Sequence, residues 1–181
     1  ASNETRSTVI LISSFSAKKP INIYGKTKAE SEKIVKKTKQ AYLILEPSLI
    51  IGFSPNTIND RPFNRLLKNL EGVPAEYDTS WKFQPTYLKH VSDVILMCIR
   101  RNIVNETIPI AVRQVKSRFD IARDILTPFG IAVKKIDAHD TSPLIKDDLT
   151  TLKKLNLPTY TYREIIQDCI KEIKDKDKFK L

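Results

Sequence analysis

Apolar positions along this 181-residue chain fall into short runs separated by amphipathic stretches. Four runs read as strands: residues 8–13, 42–45, 107–112 and 131–136. Between them, apolar side chains recur at helical spacing. Residues 24–40 carry Ala29, Ile34 and Val35 among charges, and residues 61–70 carry Phe63, Leu66, Leu67 and Leu70. Residues 90–101 are mostly apolar, which predicts a well-buried helix. Residues 117–126 and 161–173 open on Ser117-Arg118-Phe119-Asp120 and Thr161-Tyr162-Arg163-Glu164, both with capping-box spacing. A short helix is expected at 149–155. Strands alternating with helices predict an α/β fold with a largely parallel sheet. Turns are marked by proline: Pro20, Pro47, Pro55, Pro62, Pro74 and Pro85. Residues 137–143 read as a loop before the last two helices, and no repeat or linker divides the chain.

Composition narrows the class. With 41% apolar and 29% charged residues, the chain suits one soluble globular domain. No apolar run is long enough for a membrane-spanning helix. The net charge of +10 predicts attraction to anions. The lysines are scattered and no aromatic-plus-basic platform is visible, so a nucleic-acid-binding module is only a remote alternative. Cys98 and Cys169 are far apart and read as reduced, buried thiols of a cytoplasmic protein, with a disulfide as the lesser alternative. His90 and His139 have no ligand cluster near them, and no metal is expected. Asp137, Asp140, Asp147 and Asp148 do not fit a calcium loop and read as solvated loop acids. Trp81 and Phe83 read as core in preference to pocket wall.

The candidate chemistry lies near the first strand. Val9-Ile10-Leu11-Ile12 runs into Ser13-Ser14, and ten residues later Tyr24 and Lys28 form a Tyr-x-x-x-Lys pair. On a helix, residues i and i+4 share a face with Cβ atoms about 5–6 Å apart. A lysine ammonium favours the phenolate form of a nearby phenol. Such a phenol can give its proton to a carbonyl oxygen that gains negative charge as hydride arrives. A serine hydroxyl beside it can hold the same oxygen. The hydride itself must come from a nicotinamide cofactor. In a lysine-rich chain with 6 tyrosines, about one such pair is expected by chance. Weight therefore comes from the strand and serines before it and the Gly25 after the tyrosine.

The ordered segments resemble the extended short-chain dehydrogenase/reductase family. Pro20-x-Asn22-x-Tyr24-Gly25-Lys26-Thr27-Lys28, then Leu43 to Gly52, Phe83-Gln84-Pro85-Thr86-Tyr87, and Ser117 to Ala122 carry the likeness. Within the family the chain is most similar to dTDP-4-dehydrorhamnose reductases and their relative, the regulatory β subunit of methionine adenosyltransferase. The resemblance implies a Rossmann-like doubly wound parallel sheet with a small C-terminal substrate-binding part, built from about 53–90 and 113–181. It implies reduction of a 4-keto nucleotide-sugar with NADPH or NADH. Tyr24 would be the proton donor, Lys28 would orient the cofactor ribose, and Ser14, with Ser13 as its rival, would polarise the carbonyl. Tyr24, Lys28 and Pro47 would meet the cofactor, and Pro85 and Thr86 the sugar-nucleotide. A homodimer or a catalytic partner subunit is the expected assembly.

Departures from the family are visible, among them a shorter segment, Phe15 to Ile23, between the serine strand and the tyrosine helix. None of the 4 glycines forms a phosphate-binding loop, so the family's first βαβ half is expected to lie outside this chain. The chain also starts without Met, and a processed or partial product is expected. Glu46 stands where relatives place an arginine before Pro47-Ser48, and Pro143 lacks an arginine before it. These departures leave open a second reading, a binding or regulatory subunit that keeps the fold without the chemistry.

Overall fold

The computed structural model describes residues 7–38, 40–52 and 62–175. Arg61, Pro55 and residues 176–181, part of the expected helix start, turns and charged tail, lie outside them. In chain order the first elements are β1 (Val9–Ile12), α1 (Ile23–Lys37), β2 (Tyr42–Pro47), β3 (Ile50–Ile51), α2 (Pro62–Leu70), β4 (Glu76–Asp78), β5 (Lys82–Phe83) and β6 (Thr86–Tyr87). Then come α3 (Leu88–Arg100), β7 (Glu106–Ile110), β8 (Lys116–Ser117), α4 (Arg118–Leu126), β9 (Lys134–Ile136), α5 (Thr150–Lys154) and α6 (Tyr162–Lys174).

The main sheet is parallel, in the order β1-β2-β7. Its register aligns Leu11 with Ile44 and Leu45 with Ile108. Successive side chains alternate between faces. Leu43 and Leu45 turn to one side, where they pack with Ile108, Ile110, Val91, Val94, Cys98 and Leu152. Ile44 and Glu46 take the other side, which α1 covers. Helices on both faces of a parallel sheet make this a Rossmann-like α/β fold. A second core joins α4 and α6 through Ile121, Ile125, Ile165 and Cys169, with Tyr77 and Phe83 against them. Cys98 and Cys169 are free and buried in different cores.

The structure adjusts several expectations. The strand predicted at 131–136 shrinks to β9, because Gly130 turns the chain at φ 75° and the Ile131 amide bonds back to Leu126. The two-stranded pairings β3-β6, β4-β9 and β5-β8 were not predicted, since two or three residues carry no readable period. Pro47 is no turn residue. It ends the central strand β2, beside Ile110. Helix α3 is only half buried: His90, Val91, Val94 and Cys98 face inward, while Leu96 and Ile99 are 46% and 62% exposed.

Candidate active site

The chain leaves β1 through Ser13 and Ser14 into a 3-10 turn, Phe15–Ala17, and α1 starts six residues later. Asn22 caps α1 by accepting the Gly25 amide at 2.8 Å. Gly25 is required by proximity. A Cβ there would lie 2.7 Å from the Ser16 carbonyl oxygen and 3.1 Å from Pro20 Cα. Its absence lets the first turn of α1, with Tyr24, press against the serine turn.

The two serines have different surroundings because a strand alternates its faces. Ser13 is buried on the α1 side and donates a short hydrogen bond to Glu32, itself a buried residue of α1. Ser14 accepts from the Ser16 amide at 3.2 Å and lines a cavity of about 190 Å³. Tyr24, 55% exposed, lines the same cavity. The Lys28 ammonium lies 5.7 Å from the Tyr24 ring centre and donates to the Ile12 carbonyl at 2.8 Å. That bond uses one of its three donors.

Trp81, Phe83, Pro143 and Ile145 form the cavity's far wall. Phe83 is core, 2% exposed, whereas half-buried Trp81 lines this cavity and a neighbouring one of about 240 Å³. Leu49 and Phe83 also border a larger cavity of about 530 Å³, flanked by Arg65 and Arg118. Arg65 sits 4.9 Å from the Tyr77 ring centre and Arg118 5.1 Å from that of Trp81. Guanidiniums placed beside a cavity in this way can bind phosphate or carboxylate. Asp78 builds the rim. Its carboxylate accepts from the Ser80 hydroxyl and the amides of Ser80, Trp81 and Ala138, at 2.6 to 3.1 Å. Burial works to raise its pKa, but these bonds outweigh it and hold the group far below the usual carboxylate range.

The remaining candidates are placed differently. Pro47 is buried at the carboxyl end of β2, the side where parallel sheets receive ligands. Thr86 is fully buried; it donates to the Ile110 carbonyl and accepts from the Ser48 amide at 2.9 Å. The Pro85 carbonyl accepts the Val112 amide. Neither Pro85 nor Thr86 lines these three cavities. His90 is buried, with Nε2 2.8 Å from the Pro158 carbonyl. Among the described residues no cluster of acids, cysteines and histidines forms a metal site.

Sequence reasoning missed the ionic group beneath the serine turn. Lys18 reaches Glu46 at 2.7 Å and Asp147 at 3.0 Å. Asp147 is therefore no solvated loop acid. Burial pushes the Glu46 carboxyl up despite Lys18, with Glu32 and Asp147 adding to the rise. Burial opposes the charge on Lys18 too, yet its two carboxylates raise its pKa on balance. Sequence holds one signal for this group: an acid in a mostly apolar parallel strand needs a partner.

The profile of the RmlD substrate binding domain matches residues 10–173. The chain belongs to that family. This agrees with the resemblance to extended short-chain reductases read from the motifs. Among solved structures, dTDP-4-dehydrorhamnose reductase from Bacillus anthracis, in complex with NADP, superposes with a TM-score of 0.78 at 16% identity, over 94% of this chain and 66% of that one. The Yersinia enterocolitica reductase gives 0.76 at 15% identity, over 95% and 69%. UDP-glucuronic acid 4-epimerase from Bacillus cereus, in complex with NAD, gives 0.71 at 21%, over 96% and 62%. At such identities the likeness establishes the fold, and this chain spans about two-thirds of those proteins' length. No match was found among curated proteins.

Proposed function

We propose that this chain supplies the substrate-binding and proton-donating part of a nicotinamide-dependent reductase acting on a 4-keto nucleotide-sugar. One observation carries the reading: Ser14 and Tyr24 line a single cavity that borders a larger one flanked by two arginines. The segments 53–90 and 113–181 then form the substrate-binding part. Arg65 and Arg118 clamp the nucleotide's phosphates, and the keto-sugar points toward Tyr24. Ser14 holds the carbonyl oxygen. Tyr24 protonates it as it becomes an alcohol, and the Lys28 ammonium lies 5.7 Å from the tyrosine ring centre. A bound nicotinamide cofactor supplies the hydride. The donor set fits it: Lys28 has N–H donors beyond the one used on Ile12, suited to ribose hydroxyls, and Pro47 presents an apolar strand end. Thr86 acts indirectly, holding β2 against β7. Trp81, Pro143 and Ile145 wall the cavity in which that oxygen would sit.

The test is Tyr24→Phe in the full-length protein, followed by NADPH consumption with a 4-keto nucleotide-sugar. Turnover is expected to fall at least about 100-fold, with unchanged melting, since Tyr24 is half exposed. Wild-type turnover in the variant would remove Tyr24 from the chemistry. Glu46, where the family resemblance leads one to expect an arginine, favours a second reading, a binding subunit without turnover. Tight nucleotide-sugar binding by a wild-type protein that never consumes NADPH would select it.

A further inference from the structure

We propose that Lys18 is a positioning residue: by bridging Glu46 and Asp147 it locks the serine turn and the strap over the cavity into one unit. The strap is the segment 140–149, which has no helix or strand of its own before α5. It places Pro143 and Ile145 over the cavity that holds Ser14 and Tyr24. Its anchor is Asp147. The Asp147 amide donates to Gln84 Oε1 at 2.7 Å, and Gln84 Nε2 returns a bond to the Asp147 carbonyl at 3.0 Å. Of the Asp147 carboxylate, Oδ1 accepts the Leu149 amide at 2.7 Å and Oδ2 meets Lys18 at 3.0 Å.

The other end of the bridge is the catalytic turn. The Lys18 amide closes the 3-10 turn on the Phe15 carbonyl at 3.0 Å, and the Ala17 amide bonds the Ser14 carbonyl at 2.9 Å. Three residues thus separate the Ser14 hydroxyl from an ammonium fixed on both β2 and the strap. Glu46 is 4% exposed, and an uncompensated carboxylate there is costly. Glu46 sits beside Ser13 across the sheet, on the face where Glu32 takes the Ser13 hydroxyl. Lys18 therefore answers a cluster of three acids, with Lys36 touching only Glu32, at 3.6 Å. The buried acid at position 46 is what makes a lysine in this turn necessary. It ties cavity closure to serine position.

This inference rests on the reductase reading for its catalytic part but has a readout that does not. Trp81 is the single tryptophan and stands beside Pro143 and Ile145. In Lys18→Met of the full-length protein, acrylamide quenching of Trp81 is expected to rise about twofold or more as the strap loosens. The kcat is expected to fall about tenfold, with a smaller change in KM, because a displaced serine acts on the transition state. Lys18→Arg, which can still bridge two carboxylates, restores both. Should Lys18→Met not fold, Lys18→Met/Glu46→Gln removes the buried orphan charge while still breaking the Lys18–Asp147 pair, and the same changes are expected. Unchanged Trp81 quenching in a folded variant lacking the lysine overturns the coupling. So does an arginine variant as impaired as the methionine one. If Tyr24→Phe retains turnover, the reductase reading falls, while the quenching result still decides the bridge.

Discussion

At the scale of the residue, position in the pleat decided which serine meets the cavity. The sequence reading favours Ser14, with Ser13 as its rival; Ser13 bonds Glu32, whereas Ser14 lines Tyr24's cavity. Gly25 was legible as a motif residue, but its reason, a 2.7 Å approach to Ser16, belongs to the folded chain. His90 yields a prediction at this scale. It is completely buried, with the Tyr160 ring 5.0 Å away. Burial lowers its pKa, although the Pro158 carbonyl and Asp93 favour the charged form. A lowered pKa means that its contribution to stability is present above the unfolded value, about 6.5. That contribution is lost as pH falls from there toward the folded value. Urea unfolding free energy is therefore expected to drop between about pH 7 and about pH 5, and to drop less in His90→Gln. Equal drops in both proteins would clear His90 of the effect.

At the scale of the element, end signals were read more accurately than lengths. Both capping boxes are present, at Ser117 with Asp120 and at Thr161 with Glu164. Asn22 was visible only as part of a motif, yet it caps the helix that carries Tyr24 and Lys28. Asn22→Ala is expected to cost about 1 kcal/mol of stability in a thermal or chemical melt. On the reductase reading turnover falls as well, since the capped turn holds Tyr24. A melt indistinguishable from wild type would show that packing on the serine turn, not the cap, sets the start of α1. Helix α3 shows the limit of patterns: an apolar stretch reads as buried whether or not anything covers its outer side.

At the scale of the whole molecule, β1 is an edge of the main sheet among the described residues, and Ile10 and Ile12 are each 39% exposed. Ile10 and Ile99 border an apolar cavity of about 300 Å³. Unpaired parallel strands with apolar side chains invite association. The 181-residue chain produced alone is expected to self-associate in light scattering, and Ile10→Lys to shift it toward monomer. A monomeric parent chain would refute this. Much of this architecture follows from the sequence. Alternating apolar runs determined the parallel α/β class, capping residues determined helix starts, and the Tyr-x-x-x-Lys motif after a serine-ended strand pointed to the cavity proposed here as the site of chemistry. These are local signals, set by a period of two or 3.6 residues and by caps within one turn. Tertiary structure alone decided the arginine-flanked cavity, the choice between the serines, and the bridge from Lys18 to Glu46 and Asp147. Each joins residues distant in the chain, and such contacts leave no periodicity behind. Lys18 and Asp147 were ordinary surface charges until the fold brought them together over one buried acid.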